Sequence, residues 1–136
     1  MIFFDTNVII DLWGEDSEAA EWSRGIYRRE EGVTPFGCNL VVVAELAGQT
    51  DYYKELVDRL AAFHIEVLDL TVEAAFAAGR AFAEYRRRGG RRETILPDFL
   101  IAGHAAALQA TLVTRDRRLA SYFPGLTVLT PETDHG

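Results

Sequence analysis

The feature that most constrains the fold is an alternation of short apolar runs with segments of helical spacing. Residues 2–4 are an apolar run closing on Asp5, the length of a buried strand. Residues 33–38 read as a weaker strand, because Pro35 removes a ladder donor. Runs at 65–68, 112–114 and 126–129 bring the set to about five. Helical signals fill the intervals. Residues 6–13 read as a first helix, and 15–31 carry a stripe of Ala19, Trp22 and Ile26. Acids open that second segment and arginines close it, as a helix dipole favours, and Gly32 stops it. Asn39 reads as the N-cap of a helix through Leu46 and Ala47. Tyr53, Leu56, Val57, Leu60 and Ala61 set a helix over 51–62, and Val72, Ala75, Phe76, Gly79, Phe82 and Ala83 another. Arginine-rich 86–92 reads as a glycine-broken loop. Pro97 suits the first turn of a helix running to about Gln109, where its missing N–H is not needed. A short helix is expected over 115–121. Strands separated by helices pair in parallel and need cover on both faces. The expected class is therefore α/β, a three-layer α/β/α sandwich on a mainly parallel sheet of about five strands.

A chain of 136 residues, 49% of them apolar, supports one core. We expect a single domain over 1–130 and a frayed tail over 131–136. The formal charge of −7 argues against a protein that coats nucleic acid by bulk positive charge. One cysteine, Cys38, permits no internal disulfide and no multi-cysteine zinc site, which fits the reducing cytoplasm. No apolar run approaches about 18 residues, so no membrane span is expected.

Four acids fall at informative places. Asp5 ends the first strand, Asp116 lies just past the strand at 112–114, and Asp98 follows Pro97 in the first turn of its helix. Ligands of open parallel sheets bind beyond the carboxyl ends of the strands, where these three would stand. Glu45 lies well inside its helix, next to Val42, Val43 and Leu46, and reads as an acid near an apolar face. Gathered carboxylates repel one another, and hard divalent cations prefer oxygen ligands. A Mg2+ or Mn2+ site formed by Asp5, Asp98 and Asp116, with Glu45 completing it, is the expectation. Each acid alone has a plainer reading, as a helix cap or a solvated side chain.

The segments Ile2-Phe3-Phe4-Asp5-Thr6-Asn7, Val43-Ala44-Glu45-Leu46, Leu96-Pro97-Asp98-Phe99-Leu100-Ile101-Ala102 and Val113-Thr114-Arg115-Asp116 resemble, in order and spacing, those of the PIN-domain ribonucleases. In length and order of elements the chain resembles the VapC-type toxins of toxin–antitoxin pairs. The resemblance implies a metal-dependent endoribonuclease, commonly a homodimer, held inactive by a small VapB-type antitoxin. It makes Asp5, Glu45, Asp98 and Asp116 the acidic quartet, catalytic and metal-binding, and places Thr6, Asn7 and Thr114 along the site. Where some relatives carry a further acid shortly after the last of the four, this chain has Arg117, Arg118 and Leu119.

Phosphodiester hydrolysis needs an activated water and relief of charge on the phosphate, which one or two divalent ions can supply. An acidic site repels RNA, so basic side chains must draw the backbone in. Arg86, Arg87, Arg88, Arg91, Arg92, Arg115 and Arg117 are the candidates, since guanidinium matches phosphate geometry. A phosphatase that also opens on a strand ending in Asp would need a second Asp where Asn7 stands. An RNase H-like nuclease would need an early antiparallel meander that the intervening helices oppose. A non-catalytic module of the same fold is the remaining alternative.

Overall fold

In a computed structural model, residues 1–14, 17–90 and 96–134 are described. Five strands, β1 (Ile2–Phe4), β2 (Phe36–Asn39), β3 (Ile65–Leu68), β4 (Thr111–Val113) and β5 (Thr127–Leu129), form one sheet in the order β3-β2-β1-β4-β5. Every neighbouring pair is parallel. Helices α1 (Thr6–Trp13), α2 (Glu18–Glu30), α3 (Leu40–Leu46), α4 (Tyr53–Ala62), α5 (Val72–Arg87) and α6 (Leu96–Ala107) connect and cover it as a three-layer α/β/α sandwich. The chain winds outward from β1 to β3 and then crosses back to place β4 on the other side of β1. That reversal opens a crevice at the carboxyl ends of β1 and β4.

Strand β1 is central because it has no polar face. Phe3 and Phe4 are fully buried and Ile2 nearly so, as expected for a strand covered on both sides. Burial of each such side chain stabilises by roughly 1.5–3 kcal/mol. Around them pack Val8 and Ile9 of α1, Val42 and Leu46 of α3, and Phe99 and Ile101 of α6. Helices α5 and α6 approach closely. A Cβ added at Gly103 would lie 2.7 Å from the Cβ and 3.0 Å from the Cα of Ala78, so the seam admits no side chain there.

Several local expectations are corrected. The strand expected over 33–38 is displaced to Phe36–Asn39, past Pro35, because Pro35 offers only its carbonyl, which Ile2 N–H meets at 2.8 Å. Asn39 ends this strand and also caps α3, its side chain accepting from Val42 N–H. Arg86 and Arg87, expected in a loop, form the last turn of α5, and Arg88 is its C-cap. Glu84 makes ion pairs with Arg87 and Arg88, and basic side chains suit a helix C-terminus. The short helix expected over 115–121 does not form; only a 3-10 turn at Ala120–Tyr122 is present. Residues 131–134, expected to fray, close a turn in which Thr133 and Asp134 N–H donate to Thr130 carbonyl, and Asp134 pairs with Arg29 at 3.4 Å. Among the described residues no helix is long and apolar enough to cross a membrane.

Candidate active site

Asp5, Asp98, Thr114 and Asp116 line one narrow crevice at the carboxyl edge of the sheet, with Ile101, Ala102 and Leu112 as apolar walls. Each element delivers its residue for a local reason. Asp5 ends β1 because its backbone N–H still pairs with Val113 carbonyl at 3.0 Å, while its side chain caps α1 by accepting from Thr6 N–H at 2.7 Å. Thr114 follows β4 and donates its hydroxyl to Asp5 Oδ2 at 2.6 Å. The same hydroxyl oxygen accepts from Asp116 N–H at 3.1 Å, so one threonine fixes both acids. Asp98 lies in the first turn of α6, next to Pro97, with both Asp5 and Asp116 near enough to act on its charge.

Glu45 enters by a different route. It is exposed, which corrects the expectation of an acid set near an apolar face: Val42 and Leu46 turn inward and Glu45 does not. Thr6 donates its hydroxyl to Glu45 Oε1 at 2.6 Å, joining the start of α1 to the end of α3 beside Asp5. Asn7 is also engaged. Its side-chain N–H lies 3.4 Å from Asp5 Oδ2, and its carbonyl oxygen accepts from Arg115 N–H at 3.2 Å. Hydrogen bonds therefore join six of the seven acids and polar residues expected at the site, and Asp98 lines the same crevice.

Burial pushes the Asp5 carboxyl above its ordinary range. The Thr114 hydroxyl and Thr6 N–H pull it down, and the charges of Glu45 and Asp116 add to the rise. Asp98 is pushed up to about 6, by burial first and then by Asp5, Glu45 and Asp116, with Arg118 acting the other way. Asp116 is held below the usual range because Arg118 clasps it. The Arg118 Nε lies 2.9 Å from both carboxylate oxygens, and the Arg118 backbone N–H donates to Oδ1 at 3.0 Å.

The donor set is all oxygen and carries excess negative charge, which suits a hard divalent cation. In this arrangement the acids are not drawn in around one point. Among the described residues no three His, Cys, Asp or Glu side chains are gathered closely enough to hold an ion. The residue types fit such a cation; closing on it would require Asp116 to leave Arg118.

The arginines separate into distinct groups. Arg115, expected to meet RNA, places its Nε 3.1 Å from Asp11 Oδ2, and Asp11 is itself buried and accepts from Ser23 Oγ at 2.6 Å. That pair ties the loop after β4 to α1 and α2. Arg86 lies over the Phe82 ring, Arg87 pairs with Glu84, and Arg88 pairs with Glu84 and lies over Tyr122. Arg117 is exposed, next to Asp116 in sequence. Arg91 and Arg92 lie outside the described residues.

Asp11 was not among the residues expected at the site, although a charge within Val8-Ile9-Ile10-Asp11-Leu12 is a readable signal. Asn39 and His104 were likewise not assigned to the site's framework. Both are buried, and Asn39 Nδ2 lies 3.2 Å from His104 Nδ1, bracing the start of α3 against α6. Burial pushes the Cys38 thiol up to about 12, so it is a packed side chain and no nucleophile. A roomier groove lies elsewhere, between α2 and the turn at 131–134, and holds none of the four acids.

An all-parallel sheet with this order and acids at its switch point defines a class, and residues 2–122 match the PIN domain family. The chain belongs to that family. Its fold is similar to that of a chain of VapBC2 from Rickettsia felis, solved bound to a DNA fragment from their promoter. That match has 22% identity and a TM-score of 0.72, covering 96% of this chain and 98% of that one. It is also similar to a chain of DNA-bound VapBC from Salmonella typhimurium, at 24% identity, with a TM-score of 0.70 and coverage of 95% and 96%. A toxin–antitoxin complex from Klebsiella pneumoniae contains a third similar chain, at 25% identity and a TM-score of 0.66, with coverage of 96% and 98%. No curated protein matches in sequence.

Proposed function

We propose that residues 1–130 form one PIN domain acting as a metal-dependent endoribonuclease, the toxin of a VapBC-type pair. The observation that carries this reading is the meeting of Asp5, Asp98 and Asp116 in one crevice at the sheet's switch point, with two of the three carboxyls raised in pKa. Such crowding is costly unless a cation offsets it. Asp5, Asp98 and Asp116 would hold Mg2+ or Mn2+, and Glu45 would complete the site or orient the attacking water. The bound cation would supply charge relief on the phosphate and a more acidic water. Thr114 and Thr6 keep Asp5 and Glu45 in place, and Asn7 holds the loop that carries Asp116. Arg86, Arg87, Arg88, Arg117 and the undescribed Arg91 and Arg92 would meet the RNA backbone, while Arg115 serves the fold through Asp11.

Similarity to chains from VapBC complexes supports a VapB-type antitoxin as partner. Exposed Val72 and Phe76, one turn apart on α5, offer apolar surface for a homodimer. Incubation of mixed RNA with the protein, with Mg2+ or Mn2+ and with or without EDTA, tests the activity. Fragments are expected only with free metal, and Asp5→Asn should lower the rate by on the order of 10³-fold with its fold kept. RNA left intact under all conditions overturns the nuclease reading. Undiminished metal-dependent cleavage by Asp5→Asn overturns the site.

A further inference from the structure

Arg118 occupies the carboxylate that a cation would need. Its guanidinium meets both oxygens of Asp116, with Nη2 2.5 Å from Oδ2 in addition to the two Nε contacts, and its own backbone N–H takes Oδ1 as well. The positive charge also acts on Asp98. Yet the Arg118 side chain is 66% exposed, so little packing would be lost if it swung away. Arg115 next door is the opposite case, pinned on the buried carboxylate of Asp11. The sequence places one arginine, anchored on a buried acid, just before Asp116 and another, largely exposed and held by Asp116 itself, two residues after it.

We infer that Arg118 is an internal counter-ion for the acidic cluster, one that a divalent cation must displace from Asp116 before the site can close. The inference rests on the reading of these acids as metal ligands. An oxygen that accepts a guanidinium N–H cannot at the same time present that lone pair to an ion. The cation therefore binds only to the fraction of molecules with the latch open, and its apparent affinity falls by that fraction. Arg118 also offsets part of the repulsion among the acids. It shifts loading of the site to a higher cation concentration.

The test is Mn2+ binding without RNA, followed by calorimetry and by the electron paramagnetic resonance of free Mn2+. Wild type, Arg118→Gln, Arg118→Lys and Asp98→Asn are compared, with thermal unfolding as the check on folding. Arg118→Gln should bind Mn2+ about five-fold more tightly, the scale of an exposed bidentate ion pair. Arg118→Lys, which keeps the charge and loses the fork, should fall between it and wild type. Asp98→Asn should bind much more weakly. If Asp98→Asn weakens binding while Arg118→Gln binds no more tightly than wild type, the latch is overturned and the metal site stands. If wild type and Asp98→Asn are alike in failing to bind Mn2+, the metal site falls and the latch with it.

Discussion

Asp5 and Asp116 stand just past the carboxyl ends of two adjacent strands, and the protein treats them oppositely. Asp5 is held by neutral donors, the Thr114 hydroxyl and Thr6 N–H, in a place where burial dominates and its pKa rises. Asp116 is held by a guanidinium at the surface, and its pKa falls. Neutral donors fix a carboxylate without cancelling its charge. A guanidinium cancels the charge and fills the coordination. One acid is thus poised and the other guarded, although both occupy the same topological position.

The largest effect on stability should come from the residue the two sides share. Thr114→Val removes the donor to Asp5 and the acceptor for Asp116 N–H together. We expect RNA cleavage to fall by about 10–100-fold and stability by about 1–3 kcal/mol, read by initial rates and urea unfolding. A variant with wild-type rates would show that the two acids are not set by this hydroxyl.

A smaller effect of opposite sign is expected at Asp98, which sides with Asp5. Its folded pKa of about 6 lies above the ordinary 3.8, so the carboxylate form is penalised in the folded protein. Stability on its account is greatest below the unfolded value and is lost as pH rises through about 6. Asp98→Asn should therefore be more stable than wild type at pH 7.5, by about 1 kcal/mol after allowance for solvent screening, with the gap closing toward pH 4. Thermal scans across that range measure it, and a constant gap would reject the cause.

The smallest change is expected for Asp116→Asn. Its folded pKa is lowered, so the Arg118 pair contributes stability above the unfolded value and loses it as pH falls. Loss of this exposed pair should destabilise by about 0.5 kcal/mol at pH 7.5. If Asp98→Asn and Asp116→Asn shift the midpoint in the same direction at that pH, the contrast between poised and guarded acids fails.

Much of the fold was legible because the sequence repeats its message at several levels. The run Ile2 to Phe4 is apolar on both faces, as a central parallel strand must be, and Asn39 announces the start of α3 by its capping chemistry. The acids were readable because strand ends bring distant carboxylates to one edge. Pairwise contacts decided the rest. Glu84 reaching Arg87 and Arg88 carries α5 through what composition alone suggests is a loop. The segment after β4 stays out of a helix while Asn7 and Asp11 of α1 hold it. No local pattern in residues 115–121 encodes those partners. Whether an arginine meets RNA, a neighbouring glutamate or a catalytic carboxylate depends on the same kind of long-range placement.

The seam between α5 and α6 carries this placement further than its position suggests. Gly103 lies five residues beyond Asp98 on one rigid helix, about 7.5 Å along its axis. Because Ala78 leaves no room for even a methyl group there, the seam acts as a fulcrum for the segment that carries Asp98. A hydrogen atom in the place of a side chain thus sets the depth to which a carboxylate enters the crevice, and the tolerances of the site are kept by a residue that never touches it.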